Sequence, residues 1–231
     1  MSKITVCVVG KDKRQNYLAS YLQKRGITVI RQEDFIPNKL NESDYLVGPV
    51  SFYPGGKTLS HIEETCQKAE VEIINYMACE DFLFKNAELT AEGLLAIIIQ
   101  NTNFALADAK ILILGFGRCG KAILRILSRF SCLVDIYDTV PESPLGTSYN
   151  IVINTIPAPV CTKEFLRQFT SDCIFFEIAS APGGFDKIAM EEMGFVMIDC
   201  PGIPGLYSPK SAGAAIGQTV ISIIHPRKEH S

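Results

Sequence analysis

The sequence predicts an α/β protein built from two parallel-sheet layer domains. Three observations carry that expectation. Short β-type runs alternate with amphipathic stretches over the first third of the chain, a longer helical stretch interrupts them, and a second alternation then opens on an apolar run ending in closely spaced glycines. At 231 residues, the chain lies between one large domain and two small ones.

In chain order, "ITVCVVG" reads as a strand, 14–25 as a helix ended by Gly26, and "ITVIRQ" as a strand. "YLVGPVS" follows as a strand, 58–69 as a helix and "VEIINY" as a strand. From Glu88 to Ala107 a single longer helix is expected, with Leu94, Leu95, Ile97, Ile98 and Ile99 interleaved with amides. Beyond it come strand 110–114, a glycine turn, helix 120–130, strand 132–137, a Pro/Gly/Ser loop at 139–148 and strand 150–154. Helix 162–169, strand 173–178, helix 185–193, strand 195–198 and a helix at 210–224 complete the pattern. The boundaries this implies are 1–88 for the first domain, 89–107 for a bridging helix, 108–206 for the second domain and 207–231 for a C-terminal helix and tail.

Composition narrows the partners. A formal net charge of -3 removes any general electrostatic case for nucleic acid, and a small-molecule partner is expected. The opening "MSKITVCVVGKDKRQ" reaches a charge too soon for a signal peptide or a membrane span, so a cytoplasmic location is expected. The 8 cysteines form no C-x-x-C pair and stand apart from histidine at ligand spacing, which reads as reduced, buried thiols and no metal site. A homo-oligomer is the expectation on general grounds.

The stretch "ILILGFGRCGKAILRIL" holds the most specific chemistry. Gly115 permits a tight turn, Gly117 lets the backbone approach a pyrophosphate, and Gly120 lets helix and strand pack closely. Phe116, Arg118 and Cys119 complete the turn, whose helix N–H groups would face the anion. Asp138 closes the next strand, where it would accept hydrogen bonds from a ribose 2′-hydroxyl and repel a 2′-phosphate, favouring NAD over NADP. The plainer alternatives are a turn kept only for packing and an Asp138 that merely starts the turn before Pro141.

Two further strands release loops at their carboxyl ends, "NTIPAP" and "ASAPGGFD", where an open parallel sheet presents its ligand crevice. Asn154, Thr155, Ile156, Pro157, Ala179 and Ser180 are therefore candidates for the nicotinamide side of a cofactor. In "CPGIPGLYSPKSAG", Lys210 stands near a helix start, an unfavourable place for a cation unless it binds an anion, and it is a candidate substrate-carboxylate contact. Asp12, Arg14, Gln15 and Ser51 follow strands of the first domain and are further substrate candidates. No histidine–carboxylate relay can be assembled from His61, His225 and His230.

The ordered set "GKDKRQ", "GPVS", "LTAEG", "GFGRCG", "INTIP", "ASAPGGFD" and "PGIPGLYSPKSAG" resembles the family of A-type dipicolinate synthase subunits from spore-forming bacteria. That resemblance implies a flavodoxin-like N-terminal domain and a Rossmann dinucleotide-binding domain. It also implies oxidation of a cyclic dihydrodipicolinate-type precursor to pyridine-2,6-dicarboxylate with a nicotinamide cofactor, alongside the B-type subunit of dipicolinate synthase. It carries Arg14, Ser51 and Lys210 over as carboxylate or ring contacts and Glu92, beside Thr90, as a proton carrier, and it favours NADP where Asp138 favours NAD. "DTVPESPLGTSY" is too short for a further helix and strand, so the Rossmann domain reads as shortened. The alternatives are a non-catalytic or regulatory relative, or an NAD-dependent enzyme on another amino or keto acid.

Overall fold

The structure, a computed structural model, describes residues 4–140, 145 and 148–226. The chain divides into two compact units, Met1–Asn86 with Pro204–Ser231, and Ala87–Ile203. The C-terminal helix is thus counted with the first unit.

The first unit holds a four-stranded parallel sheet in the order β2-β1-β3-β4. Its strands are β1 (Thr5–Val9), β2 (Thr28–Gln32), β3 (Tyr45–Val47) and β4 (Glu72–Ile73). This is the flavodoxin-like order cut short, with its switch point between β1 and β3. Successive residues of β1 supply opposite faces. Val6 and Val8 join the cluster containing Leu18 and Leu22 of α1 (Lys13–Gln23) and Ile216 and Val220 of α8 (Pro209–Ile224). Cys7 and Val9 pack instead with Ile62 and Cys66 of α2 (Ser60–Lys68).

Two strands are shorter than their apolar runs suggest. β3 stops at Val47 because Gly48 and Pro49 lead into a 3₁₀ turn at Val50–Phe52, and Tyr53 Oη accepts from Gly48 N at 2.9 Å. The run 71–76 pairs only over Glu72–Ile73 before the chain turns at Tyr76–Ala78.

Helix α3 (Glu80–Asn101) starts eight residues before the expected Glu88 and ends before Ala107. Glu80 and Asp81 place acids in its first turn, where the helix dipole favours them. At its far end Asn101 and Thr102 donate back to the carbonyls of Ile97 and Ile98, at 2.8 and 2.9 Å.

The second unit contains a five-stranded parallel sheet in the order β6-β5-β7-β8-β9. The strands are β5 (Lys110–Leu114), β6 (Leu133–Tyr137), β7 (Ile151–Asn154), β8 (Ile174–Glu177) and β9 (Val196–Asp199). Four residues of β5 and all of β7 are buried, which is why their sequences are continuously apolar rather than alternating. Ile111 and Ile113 pack with α3 and α4 (Arg118–Leu127). Leu112 and Leu114 pack with residues of α5 (Lys163–Leu166) and α6 (Lys187–Glu192). Asp186 caps α6 through its carboxylate and the Ala189 N–H at 3.0 Å. A short helix, α7 (Ile203–Tyr207), precedes α8 and was not expected from its Pro- and Gly-rich sequence.

Relative to the full doubly wound order, β6 takes the place of the second strand, and no third strand lies outside it among the described residues. The chain bends at Asp138 and Thr139, where a turn before Pro141 is expected, whereas Pro141 itself and most of the short 139–148 loop lie outside the described residues.

Candidate functional site

The glycine turn joins β5 to α4 beside the switch point between β5 and β7. Gly115 has φ +99°, and a Cβ there would stand 2.1 Å from Thr155 Oγ1. Its N–H donates to Tyr137 O at 2.7 Å, which fixes the turn against the end of β6. A Cβ on Gly120 would stand 2.0 Å from Gly115 O, so the glycine allows the helix to approach the strand. Gly117 differs: its φ is −74° and nothing lies within 4 Å of a Cβ built on it. Gly117 is therefore not needed for the fold. It leaves open space at the start of α4, a helix that no side chain caps, and an uncapped helix start offers its first N–H groups to an anion. The residues present fit a dinucleotide pyrophosphate on that ground.

At the turn itself, Phe116, Gly117 and Arg118 are exposed. The Phe116 N–H donates to Asp138 Oδ1 at 3.3 Å, which places the exposed Asp138 beside the turn. Lys121 Nζ lies 4.7 Å from the Phe116 ring centroid. Burial pushes the Cys119 thiol up, with the Arg118 charge opposing, so the turn carries no activated thiolate.

The loops after β7 and β8 are joined from beneath by a residue that sequence reading missed. Glu177, 5% exposed at the end of β8, accepts from Asn154 Nδ2 at 2.8 Å, Ala179 N at 3.1 Å, Gly184 N at 2.7 Å and Phe185 N at 3.3 Å. Asn154 is fully buried, and its amide also bonds the main chain of Ile156 in both directions, at 3.0 and 3.1 Å. Its side chain thus shapes the loop and does not face a ligand, which corrects the expectation of a direct cofactor contact. Thr155 Oγ1 similarly donates to Leu114 O at 2.9 Å. Asn154 aside, all members of the set keep surface to present: Thr155, Ile156, Pro157, Ala179 and Ser180. The available signal was an acid ending the apolar run "CIFFE" directly before a Pro-Gly-Gly loop.

On the first unit, Asp12 caps α1, accepting from Arg14 N at 2.8 Å, and its other oxygen holds the Arg14 guanidinium at 2.9 and 2.5 Å. Burial pushes the Asp12 carboxyl up, but the Arg14 side chain and N–H outweigh it and hold the group below the usual carboxylate range. Two sequence motifs meet here: a Cβ on Gly205 would stand 2.9 Å from Arg14 Nε, and one on Gly213 2.5 Å from Arg14 O. Arg14 is therefore already paired on one edge of its fork. Gln15 is 1% exposed and reaches Gly48 O at 3.5 Å, linking the loops after β1 and β3 rather than facing a ligand. Ser51 is exposed in its 3₁₀ turn, and Lys210 is exposed in the first turn of α8 with no ion pair among the described residues.

Glu92 departs from its expected place. It is exposed and lines a groove with Glu88, Leu95, Arg125, Ile126, Arg129 and Phe130. Those α4 residues lie on the far half of the helix, about 10 Å along it from the glycine turn at 1.5 Å per residue. Thr90 is buried within α3.

No protein-family model matches the chain. It is 24% identical over 187 residues to the A-type subunit of dipicolinate synthase from Bacillus subtilis, and the match spans 73% of this chain and 63% of that protein, less than two thirds of the relative's length. The crystal structure of the corresponding dipicolinate synthase subunit from Bacillus halodurans matches with a TM-score of 0.77 at 19% identity, covering 96% of this chain and 98% of that one. D-lactate dehydrogenase with NAD+ from Lactobacillus jensenii matches with a TM-score of 0.58 at 13% identity, covering 96% of each chain. No helix among the described residues is long and apolar enough to cross a membrane. In sequence and in fold, the chain resembles the A-type subunits of dipicolinate synthase, the family to which its ordered motifs point.

Proposed function

We propose that the second unit binds a nicotinamide dinucleotide at the glycine turn. We further propose that the protein acts as an oxidoreductase like the A-type subunits of dipicolinate synthase, converting a cyclic dihydrodipicolinate-type precursor to pyridine-2,6-dicarboxylate. The observation that carries the reading is Gly117, a glycine the fold does not require, standing at open space before an uncapped helix. When bound, the cofactor supplies the hydride acceptor. The chain's own work is to hold the phosphates on the N–H groups of α4, the adenosine ribose on Asp138, and the nicotinamide side against the loops after β7 and β8. Asp138, exposed and acidic, supports NAD, while the family resemblance supports NADP.

Because the product ring is aromatic, hydride loss is downhill, and positioning with carboxylate recognition matters more than a strong base. Lys210, Arg14 and Ser51 are the proposed substrate contacts, and of the two cations Lys210 makes no ion pair among the described residues, whereas Arg14 pairs with Asp12. A B-type partner is supported by the relative's name, which makes it one subunit of a synthase, and self-association is part of the same proposal. A non-catalytic relative is the second reading, favoured by a sheet whose described part ends at β6.

Incubation with the dihydrodipicolinate-type precursor and NAD or NADP tests the reaction. The expected result is matched formation of reduced cofactor and pyridine-2,6-dicarboxylate. Cofactor binding without turnover, with the B-type subunit present, supports the non-catalytic reading instead.

A further inference from the structure

Glu177 is a buried carboxylate to which no step of the proposed reaction gives a role. We propose that it is a positioning residue that builds the nicotinamide-side wall of the cofactor site by tying the loop after β7 to the loop after β8. The proposal rests on the cofactor reading above and goes beyond it to the residue that gives the site its shape.

Four observations converge on it. Both Glu177 oxygens are engaged: Oε1 accepts from Asn154 Nδ2 and Ala179 N, and Oε2 from Gly184 N and Phe185 N. All four partners are donors, which suits an acceptor-only carboxylate. A neutral amide would set its own N–H₂ against donor groups. Asn154 passes the tie onward, since the amide that donates to Glu177 also donates to Ile156 O while its oxygen accepts from Ile156 N. Finally, the loop has closed tightly on the pair. A Cβ on Gly184 would stand 2.3 Å from Asn154 Nδ2, and one on Gly183, at φ +83°, would stand 3.0 Å from Glu177 Oε2.

A core that needed only filling would not place an acid here, because withdrawing a carboxylate from water is costly until its hydrogen bonds offset it. The position explains the choice. Glu177 and Asn154 are register partners at the carboxyl ends of β8 and β7, on the side of the switch point away from Asp138. One carboxylate holds the backbone of the loop after β8 directly and that of the loop after β7 through Asn154, while Ala179, Ser180, Ile156 and Pro157 keep surface to present. The glycine turn is held separately, by Gly115 N to Tyr137 O and Thr155 N to Leu114 O, at 2.7 and 2.8 Å.

The test compares ADP-ribose, which lacks nicotinamide, with NADH on full-length wild type, Glu177→Gln and Asn154→Ala. Both variants are expected to bind ADP-ribose like wild type and to lose about tenfold or more in NADH affinity, together with the fluorescence enhancement of the reduced ring. Amide exchange, read without ligand, is expected to quicken at Ala179, Gly184 and Phe185 in Glu177→Gln and at Ile156 in Asn154→Ala. Equal losses for both ligands, or unchanged NADH binding, overturn the positioning role. Unchanged exchange overturns the tie between the loops. A wild type that binds neither ligand overturns the cofactor reading and the ligand half of this proposal, and exchange then still decides whether Glu177 joins the loops.

Discussion

Three glycines with one spacing have three different physical duties, and substitution separates them. Gly120→Ala drives a methyl into Gly115 O and is expected to cost about 2 kcal/mol or more in denaturant unfolding. Gly117→Val meets open space at an ordinary φ and is expected to cost about 1 kcal/mol or less. The cysteines form a second case. Burial pushes the thiols of Cys7, Cys66 and Cys200 up to about 11 and those of Cys161 and Cys173 up to about 12. A thiol reagent at pH 8 should therefore leave these five unmodified in the folded protein and reach them on unfolding, as followed by peptide mass. Asp12 gives a pH dependence. Its carboxyl titrates lower when folded than when unfolded, so its pairing with Arg14 stabilises the fold above the ordinary carboxylate range. That contribution is lost as pH falls through the folded value, and Asp12→Asn is expected to flatten the acid limb of a stability profile.

Helices α1 and α8 show how sequence-distant elements build one layer. Gly213 lies against Arg14 O and Tyr17 Cβ, at 2.5 and 2.7 Å from a Cβ, and Gly217 against the Tyr21 ring at 2.4 Å. Gly213→Ala is expected to force the helices apart and to cost about 2 kcal/mol, measured by chemical denaturation. The type and order of the strands and longer helices were readable because central parallel strands are continuously apolar and helices keep their 3.6-residue period. Element ends were less so. The start of α3 was hidden because Phe82, Leu83 and Phe84 resemble a strand, and α7 because a helix through Pro204 and Gly205 contradicts local propensity. Glu177 escaped notice for another reason: its role arises from tertiary hydrogen bonds to residues two to twenty-three positions away.

The two-sheet architecture followed from alternation along the chain, and the glycine spacing located the turn between β5 and α4 that is proposed to hold the cofactor. The return of the C-terminal helix to the first unit was invisible, since nothing local in 209–224 states which sheet it covers. Lys210, Arg14 and Ser51 were singled out for their residue types at strand or helix ends. The Asp12 partner of Arg14 could be seen in "GKDKR", but its geometry could not. What joins fold to function is the open space at Gly117. Calorimetric titration of the wild type and Gly117→Val with NAD and NADP decides it. The expected result is wild-type binding of one nicotinamide cofactor below millimolar concentration, with NAD preferred if Asp138 governs the choice, and loss of that binding in a variant that melts like wild type. A wild type that binds neither cofactor at millimolar concentration, or a Gly117→Val protein that binds as well as wild type, would contradict it.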